Sequence, residues 1–106
     1  MKNAIRNFAV LASAVCLAGS MSFAQSAGEA TYKAKCQMCH GANGAADTPT
    51  AKMMKVSPAS SPEMKKLSEA DMIASTTNGK GKMPAFKGKL TDEQIKDVVS
   101  TFRSFK

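Results

Sequence analysis

Residues 36–40 read "CQMCH": two thiols two residues apart, followed at once by the only histidine in the chain. Cys-x-x-Cys-His is the attachment signature of c-type haem. Each thiol adds to one porphyrin vinyl group as a thioether, and one helical turn sets Cys36 and Cys39 over the two vinyl positions. His40, the next residue, then lies beneath the iron as an axial nitrogen ligand. Gln37 and Met38 are spacers, and Met38 is too close in sequence to reach the opposite face of the ring.

Other chemistries use the same residues less well. A structural zinc site takes four Cys or His ligands, and the chain after residue 24 has three. A redox-active dithiol belongs at the start of a helix that follows a strand, in an α/β pattern this sequence lacks. A Cys36–Cys39 disulfide would close a tiny loop and stabilise little.

The second axial position separates two functions. A haem with an open site binds gases or peroxides, and one with both sites filled passes electrons. "NGKGKMPAF" supplies Met83, flanked upstream by Gly79 and Gly81 and followed by Pro84, which biases Met83 towards extended backbone. A thioether ligand favours ferrous iron and raises the potential. Met64 and Met72 read as core filler, while Met53 and Met54 are reserve ligands expected to pack against the haem face. A haem enzyme or a gas or peroxide sensor with a labile sixth ligand is the alternative. It would want a distal base, and His40 is already used.

These residues need helices to hold them. "SAGEATYKAKCQMCHG" reads as one helix, capped by Ser26 with Glu29 as its reciprocal partner and ended by Gly41. Residues 42–64, rich in Gly, Pro, Ser, Thr and Asn, read as a long irregular loop with at most a short turn at 62–66, a length that usually wraps something. "LSEADMIASTTNGKG" is a helix capped by Ser68 and stopped at Asn78–Gly79. Its apolar side is Leu67, Met72 and Ile73, with Ala70 and Ala74 small enough for close packing. "KMPAFKGK" is a second loop. "LTDEQIKDVVSTFRSF" is a helix capped by Thr91 with Gln94, burying Ile95, Val98, Val99 and Phe102. No segment alternates like a strand, so the class is all-α, with three to four helices and long loops. Six methionines after residue 24 and a thin aliphatic core suggest helices arranged around a flat apolar object.

The chain of 106 residues holds one domain. Its formal charge of +7 comes mostly from scattered lysines, with two arginines, one tyrosine and no tryptophan. That composition excludes the stacking and arginine pattern of nucleic-acid binding. The opening residues form a basic stretch with Lys2 and Arg6, an apolar run of about a dozen residues, and "SFA". This is the grammar of a secretory signal cleaved after Ala24, and the run is too short for a membrane anchor, which needs about 20 residues. Cleavage would leave residues 25–106 as the domain and lower the net charge to +5. The expected location is periplasmic or otherwise exported.

With "CQMCHG" closing the first helix and "GKGKMPAFKGKLTDEQIKDVVSTFRSF" at the end, the sequence resembles the class I c-type cytochromes. Within them it is most similar to the small bacterial cytochrome c6/c-553-like group. The resemblance implies a helical fold around one covalent haem c, with crossing first and last helices, His40 and Met83 as iron ligands, and an exposed haem edge. It implies a soluble single-electron shuttle, not an enzyme, acting as a monomer on redox proteins with acidic docking surfaces. Lys35, Lys52, Lys55, Lys80, Lys82, Lys87 and Lys89 would form a positive rim. Gly28 and Tyr32 match the family's Gly-x-x-x-aromatic on the first helix. On the last helix Thr101 stands where the family has an aromatic, with Phe102 beside it to compensate. Pro49 resembles the proline whose carbonyl accepts a hydrogen bond from the proximal histidine.

Overall fold

The computed structural model describes the backbone of residues 19–106, and side chains from residue 27 onward. Of the signal segment expected over residues 1–24, residues 1–18 lie outside the described residues. Six helical segments follow in order: α1 (Gly19–Lys35), α2 (Gln37–His40), α3 (Pro49–Met54), α4 (Pro62–Lys66), α5 (Glu69–Asn78) and α6 (Asp92–Ser104). Among the described residues there are no strands, only two isolated bridges, Lys80 with Met83 and Lys87 with Leu90. No described helix is long and apolar enough to cross a membrane.

The two long C-terminal helices start where their sequences predict. The Ser68 and Thr91 hydroxyls accept from the N–H groups of Asp71 and Gln94, whose side chains accept from the cap N–H in return. Each reciprocal pair satisfies two of the four N–H groups that a helix start leaves without partners.

The first helix departs from expectation twice. It begins at Gly19, which places Ser26 inside it and not at its cap. It also breaks at Cys36, whose φ of −117° departs from the helical value, before resuming as α2. The long loop also contains more structure than expected. Thr48 caps α3 through the Ala51 N–H, with Pro49 at the first turn; Ser61 caps α4 through the Met64 N–H, with Pro62 likewise. Proline suits that position because its missing N–H would have had no helical partner there.

The core is small. Tyr32, Ala51, Leu90, Ile95, Val98 and Val99 are buried, with Met72, Ile73 and Phe86 packed against the Leu90–Ile95–Val99 cluster. Ala70 and Ala74 are exposed, contrary to the packing role expected of them, because α5 turns Ile73 and Thr76 inward instead. Helices α1 and α6 cross at Gly28. A Cβ there would lie 2.6 Å from the Asp97 carbonyl oxygen and would also collide with Thr101 Oγ1. The frame shift on α6 thus has a physical reading: Thr101 is buried at the crossing, and Phe102 is free to turn towards the site.

Candidate functional site: a cofactor cavity

One cavity of about 480 Å³ opens between the helices, within the range of roughly 300–1,000 Å³ usual for cofactor and ligand sites. Cys36, Cys39, His40 and Met83 all line it. The four residues singled out by motif and loop chemistry therefore share one space.

The thiol side is built by the short α2 turn. Its end is held by Gly41 N–H bonding to the Gln37 carbonyl, and by the Tyr32 phenol donating to the Gly41 carbonyl at 2.6 Å. Thr48 Oγ1 donates to the Met38 carbonyl at 2.7 Å, tying α3 to the same turn. Cys36 and Cys39 are half-buried free thiols. Burial, with Cys39 adding, pushes Cys36 up to about 11. A reactive dithiol requires the opposite shift, and among the described residues no strand precedes this helix, both of which count against the dithiol reading. Among the described residues no three His, Cys, Asp or Glu side chains converge on a metal position, which removes the zinc reading. Burial lowers His40 from its ordinary 6.5, favouring a neutral imidazole with a lone pair to donate.

The methionine side is a loop with a fixed backbone. Lys80 and Met83 exchange two backbone hydrogen bonds, at 3.1 and 3.0 Å. Downstream, the Phe86 and Lys87 N–H groups bond to the Thr76 and Thr77 carbonyls of α5. Gly79 permits the fold-back: its φ is +79°, and a Cβ there would sit 3.0 Å from the Met83 carbonyl oxygen. Met83 is half-buried.

Other expected positions sort themselves around this cavity. Met54 lines it, but Met53 is 76% exposed and outside the lining, which removes it as a reserve ligand. Met64 and Met72, expected as plain core, both line the cavity, since α4 and α5 form its walls. Lys35, Lys55, Lys80 and Lys82 belong to the lining, whereas Lys52, Lys87 and Lys89 do not. The bond expected from His40 to the Pro49 carbonyl is absent: His40 Nδ1 is buried without a partner. Pro49 opens α3, where its carbonyl faces along its own helix.

Comparison with known proteins agrees with this arrangement. The family described as cytochrome c oxidase, cbb3-type, subunit III matches residues 23–100. Cytochrome c6 of Leptolyngbya boryana is 44% identical over 72 residues, covering 68% of this chain and 81% of the relative. The chain belongs to the c-type cytochrome family. Cytochrome c6 of Porphyra purpurea is 35% identical over 74 residues, covering 69% of this chain and 64% of that protein. Among solved structures, the KustC0563 c-type cytochrome superposes with a TM-score of 0.68 at 31% identity, over 74% of this chain and 96% of its own. The cofactor of this cytochrome is one covalent haem c. The residues present fit it: two thiols at the attachment spacing, a neutral imidazole and an apolar cavity of suitable volume. Phe102 went unrecognised as a site residue. It lines the cavity and stands edge-on to His40, and only its place next to Thr101 hinted at this.

Proposed function

We propose that this cytochrome is an exported, monomeric single-electron carrier whose haem iron would be ligated by His40 and Met83. When bound, the haem supplies the ferrous/ferric couple through which one electron enters and leaves. Cys36 and Cys39 tether the ring through thioethers and fix its register against α2. His40 offers its imidazole lone pair from the α2 side. Met83 offers its thioether from a loop whose reciprocal bonds with Lys80 resist movement between redox states. Val98, Val99, Met72 and Phe86 exclude water from the apolar wall.

The observation that carries this reading is the convergence of all four residues on one cavity from two sides, the α2 turn and the Met83 loop. Met83 is preferred over the other lining methionines because Met72 already packs against the core cluster, Met64 lies on a short helix with no comparable pin, and Met54 is 38% exposed at the end of α3. The leader grammar supports export, with residues 25–106 as the working domain. The lysines at the cavity mouth support a redox partner with an acidic docking surface.

Visible and near-infrared spectra of the haem-loaded protein in both redox states test the ligand set. Met83→Ala should abolish the sulfur-to-iron band and let the reduced protein bind carbon monoxide readily. Persistence of the band in that variant would move the ligand role to another methionine.

A further inference from the structure

His40 is held by packing in a place where a hydrogen bond is the usual device. Metal-ligating histidines ordinarily donate their second ring N–H to a carbonyl, carboxylate or water, which fixes the ring and strengthens the ligand. Here Nδ1 is the one buried side-chain nitrogen or oxygen without a partner among the described residues. Against the ring stands Phe102 instead, with centroids 5.2 Å apart and planes at 68°, an edge-to-face contact. Phe102 is itself braced. It meets Phe105 at 6.3 Å and 82°, and Phe105 meets Tyr32 at 5.1 Å and 67°. Tyr32 donates to the carbonyl of Gly41, the residue after His40. The aromatic chain thus leaves the imidazole, passes along the end of α6, and returns to the backbone beside the same imidazole.

We propose that Phe102 is the positioning residue for His40, its edge-to-face contact setting the ring's orientation. The reason lies in the sequence frame of α6. Thr101 fills the crossing with Gly28, so the aromatic one residue later faces the ligand and not α1. Freeing the ring would change how His40 donates to the metal, so the midpoint potential should respond to Phe102. The inference rests on His40 being an axial ligand.

The test uses nitrogen-15- and carbon-13-labelled, haem-loaded protein in its diamagnetic reduced form. In the native protein, the His40 Nδ1 proton should show no coupling across a hydrogen bond to a carbonyl, and the ring should give one set of resonances. Phe102→Leu keeps an apolar side chain but removes the ring edge. It should split or broaden the His40 resonances and shift the midpoint potential. Phe102→Tyr should restore both. A protein or water acceptor found on Nδ1 would overturn the proposal, as would native resonances and a native potential in Phe102→Leu. If Phe102→Leu cannot be recovered with haem, the native measurement and Phe102→Tyr still decide. Absence of iron-bound shifts at His40 would sink the ligand reading and this inference together, a result distinct from loss of the Phe102 effect alone.

Discussion

The Tyr32 hydroxyl donates to the Gly41 carbonyl from a side chain only 2% exposed, and so fastens the first helix to the end of the haem-binding turn. Burial, with Cys36 nearby adding, raises this phenol from the ordinary 10.0 to about 12. Once Cys36 is a thioether it can no longer carry charge, and burial with Asp47 sustains what remains of the shift. A group whose folded pKa is raised contributes stability that is complete below its unfolded pKa and disappears as pH climbs through the folded one. The window therefore opens at pH 10 and closes below 12 in the loaded protein, and at most about 2–3 kcal/mol is at stake across it. Tyr32→Phe should be less stable than the native protein at pH 8, because the Gly41 carbonyl loses its donor at a cost of about 1–3 kcal/mol. As pH rises from 10 to 12 the two proteins should converge, since only the native one must ionise a buried phenol. Urea unfolding at a series of pH values checks this. Parallel curves above pH 10 would show that Tyr32 does not ionise in that range.

Elements were legible from the sequence to the extent that their signals were local and unambiguous. Helices α5 and α6 carry matched caps at both residues of the box, and their starts fall where Ser68 and Thr91 place them. Helix α3 was hidden by reading prolines as breakers. Thr48–Pro49 and Ser61–Pro62 are caps followed by first-turn prolines, a start signal in the same residues that spell a loop. The Cys36, Cys39 and His40 positions were legible because their spacing is the chemistry. Phe102 was not, because its role depends on which α6 residue the crossing consumes. That crossing is itself testable. Gly28→Ala should cost about 1–3 kcal/mol, the usual penalty for overpacking a tight contact. Adding Thr101→Ala removes the hydroxyl that the new methyl meets, but the Asp97 carbonyl remains 2.6 Å from it. Rescue in the double variant should therefore be partial in thermal unfolding of the loaded protein. Full rescue would mean that the side chain, and not the backbone of α6, limits the approach.

At the scale of the molecule, the six buried apolar residues among those described, three of them (Tyr32, Val98 and Val99) lining a cavity of about 480 Å³, make a core that is completed by its cofactor. A domain this small buries too little of its own surface to be secure without such a staple. The same economy governs the outside. Lys35, Lys55, Lys80 and Lys82 line the cavity with a single carboxylate, Glu63, among them. Positive charge is thus concentrated where the haem would be approached, on a chain whose formal net charge is already +7. Single exposed ion pairs contribute little to affinity, but a one-signed patch raises encounter rates with an oppositely charged partner by about 10- to 1,000-fold at low salt. Screening shortens the reach of such a patch to about 8–10 Å near physiological ionic strength. The second-order rate of electron transfer to an acidic redox protein should therefore fall at least about tenfold between low and high salt. Lys55→Glu combined with Lys82→Glu should flatten that dependence without altering the visible spectrum, because neither side chain is placed on the iron. Stopped-flow rates across an ionic-strength series read both effects. A rate indifferent to salt in the native protein would leave the lysines as a solvated coat and remove steering from the function.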